Sequence, residues 1–493
     1  MCNVAARSVV VGLGLLLVGI GSGAAVATSP TKQEIRRAID TTRKGVQVPA
    51  HERFTLPNGL TVILMPRKEV PLIAVSAVVR GGALADPAGE PGVASLLAGL
   101  LDKGAGKRDA FAFADAVAGV GGSFGAGAST ESIAVGGEFM SRDRVLMIEL
   151  LADALQRPRL DATEFGKLRD RQVELIKAAK DSDPSSLLTE YGRAFLFGDH
   201  PFARPVDGSE TSLAGLQHAD VVAFHKTQFG ADRVTLVFAG DLDVAWMRKA
   251  VTAAFGNWQR ATGSLPTLQA APRVTGRRVL LVDAPGSVQT YFWIANVGVD
   301  RRYAGRPALD LVNTLYGGRF TSILNTELRI KSGLSYGASS GFSRGSVPGE
   351  FAIRSFVLTE NTGKAIDLVL KTLAALRTDT IAPDMLESAR AYVLGQYPLR
   401  LETAAHWAAT LGDLELYRLP LSYIEGYGPS LEAVDVAATR AVVADAFPEP
   451  DNGVIVMIGD AQKIRADAMR LGPVTEMPLT APVFVPADAA KSK

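Results

Sequence analysis

Histidines are the first residues to consider, because imidazole serves most often in metal binding and in acid–base catalysis. The chain contains five of them: His51, His200, His218, His225 and His406. None begins or ends a His-x-x-Glu-His or His-Glu-x-x-His pattern, the arrangements that place two zinc ligands on one helical face. His218 and His225 are seven residues apart, two helical turns, so they could share a face. A lone pair of this kind is more often a surface or core-edge feature, and a zinc site built from it is disfavoured.

Other functional classes also find little support in the composition. Cys2 is the only cysteine, so a chain that lost its N-terminus would have no thiol for a disulfide, for catalysis or for zinc binding. No phosphate-binding Gly-x-x-x-x-Gly-Lys-Ser/Thr loop occurs. The 52 basic and 51 acidic residues give a formal net charge of +1. Such a balance provides no field to attract nucleic acid, so we expect no nucleic-acid partner.

The N-terminus has the order of parts found in a secretory signal peptide. Arg7 is its only charge, residues 9–20 are almost wholly apolar, and small residues ending in Ala25-Val26-Ala27 follow. A charged start, an apolar core and an A-x-A site are typical of such signals, whereas a membrane span needs about 20 apolar residues. We expect a periplasmic or secreted protein with no stable membrane span after signal removal. An uncleaved membrane anchor is the alternative.

Apolar runs separated by turn residues predict the elements that would position a site. A Pro-Asn-Gly break at residues 57–59, between two β-rich runs, predicts a hairpin at residues 54–64. Residues 73–79 are apolar and β-branched, which predicts a buried strand. Residues 91–101 predict a buried helix, and residues 234–241 predict a buried strand that ends on Gly-Asp. Strands and helices of this kind are typical of a sheet with helices packed on it.

The order of elements then begins again. Residues 257–275 contain two prolines and no apolar period, which predicts a linker. Residues 278–282 resemble the first strand, and residues 453–460 repeat the hydrophobic run that ends on Gly-Asp. An interval of about 220 residues is too long for a solenoid repeat. We therefore predict an α+β fold of two homologous domains, each an antiparallel-rich sheet with packed helices, which face each other as a clamshell.

The predicted boundaries follow from these breaks. They are a signal peptide at 1–27, a lead-in segment at 28–50, an N-terminal domain at 51–256, the linker at 257–275, a C-terminal domain at 276–475 and a tail at 476–493.

Several short motifs occur in a distinctive order. The first is Phe54-x-x-Pro57-Asn58-Gly59-Leu60-x-Val62, followed by Arg80-Gly81-Gly82 and by Pro91-Gly92 ahead of an apolar helix. Later come Phe224-His225 with Gly240-Asp241, then Gly317-Gly318-Arg319-Phe320, then Gly333-Leu334-Ser335-Tyr336-Gly337. Together they resemble the pitrilysin/insulinase family of zinc metallopeptidases, in particular members like the mitochondrial processing peptidase. The resemblance spans about residues 53–465.

The resemblance also identifies what has been lost. Active members carry an inverted His-x-x-Glu-His motif on the helix after the Gly-Gly turn, and its glutamate activates the metal-bound water. The matching positions here are Ser95, Ala98 and Gly99. Serine is a poor zinc ligand, and the other two side chains cannot bind metal or take a proton. The family's third ligand falls near Glu174, which could not hold zinc alone. We expect no catalytic residue and no cofactor in this chain.

Two residues match positions that reach the substrate in the family, namely Arg329 and Tyr336. Gly333 between them can end the helix in a left-handed cap, which leaves Tyr336 on the following loop or strand. A guanidinium and a phenol could together hold a peptide carbonyl or a developing oxyanion. The alternative is that Arg329 is a solvated helix-end cation, favoured by the helix dipole, and Tyr336 a half-buried strand residue.

A glycine-rich stretch is a second candidate for peptide binding. Residues 119–127 are rich in glycine, and residues 129–137 are predicted to form an edge strand. An edge strand can take an extended peptide through main-chain hydrogen bonds. An ordinary edge strand beside a flexible loop is the alternative.

The family includes assemblies in which one subunit carries zinc and a sister subunit lacks it. By this resemblance, the chain is expected to be the non-catalytic subunit of an exported zinc-peptidase heterodimer. Its partners would be an active zinc-peptidase sister subunit and a peptide substrate, with zinc held by the sister. A stand-alone peptide-binding or scaffold protein is the alternative.

Overall fold

Two six-stranded sheets organise residues 32–486, the part of the chain that the computed structural model describes. The predicted signal peptide and Cys2 lie outside the described residues. The strands are β1 (Glu52–Thr55), β2 (Thr61–Pro66), β3 (Leu72–Arg80), β4 (Gly104–Ala105), β5 (Arg108–Asp109), β6 (Gly125–Ala128), β7 (Ser132–Met140), β8 (Val234–Gly240), β9 (Arg277–Asp283), β10 (Gln289–Val297), β11 (Ala338–Arg344), β12 (Pro348–Leu358), β13 (Gly453–Gly459) and β14 (Val474–Pro478).

The two large sheets share five strands in the same order. One sheet runs β1-β2-β8-β3-β7-β6, and the other, taken from the corresponding edge, runs β14-β9-β13-β10-β12-β11. In both sheets the second and third strands are parallel, and the later neighbours are antiparallel. Only the first strand differs, because β1 is antiparallel to β2 whereas β14 is parallel to β9. The shared topology confirms the predicted α+β class with two homologous halves.

Helices pack on both sheets. The α-helices are α1 (Lys32–Arg43), α2 (Val93–Leu100), α3 (Ala110–Ala118), α4 (Arg144–Gln156), α5 (Ala162–Ser182), α6 (Leu188–Phe197), α7 (Glu210–Gly215), α8 (His218–Gln228), α9 (Val244–Phe255), α10 (Arg306–Asn313), α11 (Ile323–Asn325), α12 (Thr362–Thr378), α13 (Pro383–Gln396), α14 (Ala404–Leu416), α15 (Ser422–Glu425), α16 (Tyr427–Glu432), α17 (Val436–Ala446) and α18 (Ala461–Leu471). Two π-helical segments, Thr314–Gly318 and Thr326–Lys331, flank α11. Short 3-10 turns lie at Gly82–Ala85, Ser141–Asp143, Pro184–Leu187, Pro201–Ala203, Ala231–Arg233, Thr359–Asn361 and Pro398–Leu401. Among these described helices, none combines the length and apolar character that a bilayer crossing requires.

Each half contributes one helix to the sheet of the other. α6 packs on β10 and β13, and α14 packs on β3 and β8. Gly192 of α6 lies against the indole of Trp293, where a Cβ would come within 2.6 Å of the ring. Gly412 of α14 lies similarly close to Val78. Because both sheets are covered on both faces, their central strands are almost continuously apolar. The two halves therefore face each other through their sheets.

The chain ends differ from the predicted organisation. The predicted tail, residues 476–493, begins inside β14, so this boundary is wrong. β14 pairs with β9, and the chain then returns to the N-terminal half, where the Pro482 carbonyl accepts a hydrogen bond from the Thr211 N–H at 3.2 Å. A boundary drawn from composition could not show this return, because the partners lie far away in sequence. At the other end, α1 of the lead-in segment packs on α13 and α16. Residues 257–275 contain neither helix nor strand.

Candidate functional site

The start of α2 is held by a buried carboxyl group. Asp86 accepts hydrogen bonds from the backbone N–H of Gly92 at 2.9 Å and of Ala94 at 2.8 Å. These bonds satisfy two of the donors that a helix start leaves free. Burial raises the pKa of Asp86 to about 7, although both N–H groups favour its ionised form.

The residues at the three positions of the lost zinc motif on α2 are engaged in local contacts or buried. Ser95 donates a hydrogen bond from Oγ to Oδ1 of Asp207 at 2.5 Å. Ala98 is only 2% exposed. A Cβ built on Gly99 would lie 3.4 Å from the side chain of Leu168 on α5. This face of α2 is therefore a packing surface with one polar contact.

Glu174, at the position expected for a third zinc ligand, is also engaged in a local contact. The side chain of Glu174 on α5 is 72% exposed and pairs with Nζ of Lys177 at 3.0 Å. Within residues 32–486, no group of three or more His, Cys, Asp or Glu side chains is arranged to hold a metal ion. Zinc binding and catalysis would need two imidazoles and a carboxylate at the motif positions. Ser95, Ala98 and Gly99 provide only a hydroxyl, a methyl group and a hydrogen. The residues present do not fit a zinc ion.

The two histidines on α8 have separate structural partners. His218 Nε2 hydrogen-bonds the Leu160 carbonyl, and His225 Nε2 hydrogen-bonds the Leu155 carbonyl at 2.9 Å. Burial lowers the pKa of His225, which favours its neutral form. Both rings therefore connect α8 to backbone carbonyls in the last turn of α4 or shortly after it, which is a structural role at the edge of the core.

Four stretches of the chain have the spacing Gly-x-Ser-x-Gly, and they are centred on Ser123, Ser335, Ser339 and Ser343. A nucleophilic serine of this motif would need a strand-to-helix turn and a neighbouring base. Ser123 instead precedes the edge strand β6, and its Oγ accepts a hydrogen bond from the Glu138 N–H at 3.0 Å. Ser339 and Ser343 lie within β11, and the Ser335 Oγ donates a hydrogen bond to the Gly337 carbonyl at 2.9 Å. None of the four serines hydrogen-bonds a histidine in the described part of the chain, so none has a histidine base to activate it.

The segment that carries Arg329 and Tyr336 is a π-helical turn followed by a tight loop. Gly333 has φ +62°, the left-handed conformation predicted for it. The N–H groups of Leu334 and Ser335 both donate to the Leu328 carbonyl, at 2.9 and 3.0 Å. Tyr336 therefore lies on the loop before β11, which confirms its predicted place, although the helix before it is π rather than α.

A buried polar network fixes the underside of this loop. Oδ1 of Asn325 accepts a hydrogen bond from the Ala338 N–H at 2.9 Å. Oγ of Ser355 on β12 lies 3.0 Å from Oγ of Ser335 and 2.9 Å from the Gly337 carbonyl. Because these groups are buried and paired, the loop is tied to the sheet on its inner side.

The outer side of the loop presents a cation and three large apolar side chains. The guanidinium of Arg329 lies over the ring of Phe320, 4.7 Å from its centroid. Tyr336 is 80% exposed, Ile330 68% and Phe320 63%. In the described structure, Arg329 has no ion-pair partner and the Tyr336 hydroxyl makes no hydrogen bond. The half-buried position considered for Tyr336 is therefore wrong. We name residues Phe320, Arg329, Ile330 and Tyr336 the aromatic–arginine surface.

The edge of the N-terminal sheet differs from the prediction. Residues 129–137 were expected to form an edge strand, but β7 (Ser132–Met140) lies between β3 and β6. The edge strand at this side of the sheet is β6 (Gly125–Ala128), which begins inside the glycine-rich stretch. Gly125 and Gly127 face open space. The reason for the error is that short Gly-Ala strands lack the apolar alternation by which strands are predicted.

Two family models match the chain over these same regions. The model described as Insulinase (Peptidase family M16) matches residues 62–209, which include the altered zinc motif. The model described as Peptidase M16 inactive domain matches residues 215–393, which include the aromatic–arginine surface. The chain belongs to peptidase family M16. Because the zinc motif is altered at all three functional positions, it is a degenerate member of that family.

Two relatives and one solved structure are similar to between 49% and 83% of the chain. An uncharacterised zinc protease of Mycobacterium leprae is 28% identical over 365 residues, 74% of this chain and 82% of that protein. The mitochondrial-processing peptidase subunit beta of Blastocladiella emersonii is 26% identical over 241 residues, 49% of this chain and 51% of that protein. A crystal structure of a peptidase M16 inactive domain from Pseudomonas fluorescens is 25% identical, with a TM-score of 0.77, and covers 83% of this chain and 98% of that chain.

Proposed function

We propose that this chain is the non-catalytic subunit of an exported zinc-peptidase heterodimer. It binds peptide substrate and presents Arg329 and Tyr336 to the active site of a zinc-bearing sister subunit. The observation that carries the proposal is the contrast between two parts of the chain. The zinc-motif positions are filled by packing contacts, whereas the aromatic–arginine surface is exposed and supported from below by a buried polar network.

The chemistry of this surface suits a peptide undergoing hydrolysis. Arg329 offers a fork of N–H donors, and the Tyr336 hydroxyl offers one more. The Phe320 ring restrains the guanidinium by cation–π contact, so less side-chain entropy is lost when a ligand binds. Donors placed at a developing oxyanion each contribute roughly 10²–10³ in turnover. The chain would supply these donors, and the sister would supply the metal-activated water.

The free edge of β6 offers a place for the main chain of the peptide. Its outer N–H and C=O groups can pair with an extended segment, as in strand addition. Gly125 and Gly127 present no side chains that would obstruct this approach. Recognition through main-chain groups would make the subunit tolerant of peptide sequence, and the aromatic–arginine surface would provide the more specific contacts.

The relatives support a role in proteolysis and in a paired assembly. One relative is described as a zinc protease and another as a subunit of the mitochondrial-processing peptidase. Export rests on the sequence of residues 1–27 alone. In this proposal the sister subunit is exported as well, because the two chains must meet in one compartment.

The test begins with the tagged chain purified from the cells that produce it. The expected co-purifying partner carries His-x-x-Glu-His and zinc. Turnover of a peptide mixture by the pair is then measured with the wild-type chain and with Arg329→Ala combined with Tyr336→Phe. We expect the double variant to reduce turnover by about 10²-fold or more while the pair still assembles. Arg142→Ala, an exposed arginine in the other half, is the control and should leave turnover unchanged.

The alternative is a stand-alone peptide-binding or scaffold protein. It is favoured by one result, namely that peptides bind the isolated chain and no zinc-bearing partner is recovered. Unchanged turnover of an assembled pair that contains the double variant would exclude the role proposed for Arg329 and Tyr336.

A further inference from the structure

Two adjoining cavities lie in the cleft between the two halves. Their volumes are about 350 Å³ and 390 Å³. Arg80 and Arg418 line both of them, so the two cavities are direct neighbours and are treated together as one cleft. Neither cavity is lined by a residue of α2 or of the aromatic–arginine surface. The charged residues that line the cleft are Arg53, Arg80, Glu131, Asp232, Arg233, Arg301, Arg302, Glu415 and Arg418. We name it the arginine cleft.

The acids of the cleft already have partners. Glu415 receives a two-point contact from Arg53 at 2.7 and 3.0 Å. Asp232 pairs with Arg260 at 3.3 Å, and Glu131 accepts a hydrogen bond from the Ser346 N–H at 3.0 Å. Glu415 and Asp232 are therefore already paired with cations, whereas Glu131 keeps its negative charge because its partner is neutral. The cleft is net positive by three formal charges, because six arginines face three acids.

Four arginines of the cleft form no ion pair with a carboxylate in the described part of the chain. They are Arg80, Arg233, Arg302 and Arg418. Arg80 donates to the Asp232 carbonyl at 2.6 Å, and Arg302 donates to the Tyr417 carbonyl at 2.9 Å. Carbonyl groups satisfy donors without cancelling charge. Burial lowers the pKa of the Arg233 guanidinium, Asp232 raises it, and the charge of Arg80 lowers it again.

Arg418 has an unusual backbone conformation at the mouth of the cleft. Its φ is +52°, the left-handed region in which glycine is favoured. It follows the end of α14, where the Leu419 N–H donates to the Leu414 carbonyl at 2.8 Å, the bond of a glycine-type helix cap. Its side chain makes no hydrogen bond or ion pair within residues 32–486. Strain of this kind at a residue that lines a cavity is typical of functional positions.

A second group in the cleft is also incompletely paired. Arg301 pairs with Asp413 at 2.8 Å through one guanidinium nitrogen. Its Nε is buried and has no hydrogen-bond partner in the structure. A buried donor of this kind is costly unless a ligand or water satisfies it. Arg80 comes from the N-terminal half and Arg301, Arg302 and Arg418 from the C-terminal half, so a ligand here would contact both halves.

We propose that the arginine cleft is a binding site for a small multivalent oxyanion, with phosphate groups as its ligand class. Guanidinium groups match tetrahedral oxyanions through paired N–H donors. A ligand with several negative charges would also neutralise the positive charge of the arginines that the carboxylates of the cleft do not balance. Such a ligand stabilises the packed arrangement of the two halves, because it binds the folded chain and bridges residues of both.

The probe is inorganic pyrophosphate, titrated by calorimetry into the mature full-length chain at low ionic strength. Arg418→Gly is the informative variant, because glycine fits the left-handed backbone and the fold is retained. We expect it to weaken pyrophosphate binding about tenfold or more while raising the unfolding midpoint. Adding Arg302→Ala should weaken binding further, and Arg142→Ala should leave it unchanged. Binding by the wild-type chain should also weaken with added salt.

Two results would overturn the proposal. One is that the wild-type chain does not bind pyrophosphate, and the other is that Arg418→Gly binds it as tightly as the wild type. Citrate is titrated in parallel to test the ligand class. Weaker binding of citrate than of pyrophosphate supports phosphate, whereas tighter binding of citrate would overturn the assignment to the phosphate class.

Discussion

Helix α2 and the loop at residues 326–337 use their polar groups in opposite ways. On α2, the polar groups have internal partners: Ser95 bonds Asp207, and the helix start bonds Asp86. On the loop, the internal partners lie underneath, and Arg329 and Tyr336 are left exposed. One half of this M16 fold therefore packs or pairs the positions of the zinc motif, whereas the other half leaves Tyr336 exposed and Arg329 without an ion-pair partner in the described residues.

The largest expected effect follows from refilling the site on α2. Ala98→Glu would restore the family's catalytic residue type at a position that is 2% exposed. Without a metal or a cation to pair with, the buried carboxylate should destabilise the fold by about 3 kcal/mol or more. Unfolding by denaturant measures this. Ala114→Glu on the exposed side of α3 is the control and should change stability by less than about 0.5 kcal/mol. Equal stability of Ala98→Glu and the wild type would mean that this position can still accommodate a carboxylate.

The second prediction concerns pH and Asp86. Its folded-state pKa of about 7 lies above the unfolded value of about 3.9. The folded protein therefore binds this proton more tightly, and the stability it contributes is lost as the pH rises from about 4 to about 7. The loss should approach about 1.4 kcal/mol per pH unit in the middle of this window.

The matched variant for this prediction is Asp86→Asn, which cannot titrate. Relative to the wild type, its stability should rise between pH 5 and pH 7.5, as measured by denaturant midpoints. Parallel pH profiles of the two proteins would show that Asp86 does not titrate in this range.

The third prediction concerns the support under the loop. Asn325→Ala removes the acceptor of the Ala338 N–H, which should cost about 1–3 kcal/mol because a buried donor loses its partner. Hydrogen exchange of the Leu334 and Ser335 amides should become faster in the same variant. Ser339→Ala on β11 has an exposed side chain and should change neither quantity. Unaltered exchange in Asn325→Ala would show that the loop does not depend on this network.

The smallest effect is expected for Ser95→Ala. It removes the hydroxyl that bonds Asp207 and should cost about 1 kcal/mol, the value of a single partly exposed hydrogen bond. Double substitution of Ser95 and Asp207 by alanine should cost less than the sum of the two single substitutions, because the pair is coupled. Additive effects on the free energy of unfolding would show that the two side chains do not interact.

Much of the fold could be predicted from local sequence patterns. The repeated run ending on Gly-Asp corresponds to β8 and β13, which occupy the same place in their two sheets. The left-handed Gly333 followed from its position after a helix end. These features are encoded within a few residues, where periodicity, turn chemistry and capping operate.

The features that sequence patterns missed depend on distant partners. The packing of α6 and α14 on the opposite sheets could not be predicted, because each is an ordinary apolar helix until its neighbour is known. The same is true of Asp207 beside Ser95, which is 112 residues away in sequence. The contact of Phe320 with Arg329 was missed for another reason. The two residues are nine positions apart and the chain between them passes through two helical segments, so their spacing does not indicate that the side chains stack.

The most direct test of the central claim is the zinc content of the folded, mature chain after dialysis against trace zinc. Elemental analysis should find near-zero zinc, because Ser95, Ala98 and Gly99 leave no ligands on α2. One zinc per chain would contradict the account, since a site would then exist among other residues and the chain could no longer be regarded as the non-catalytic member of a pair.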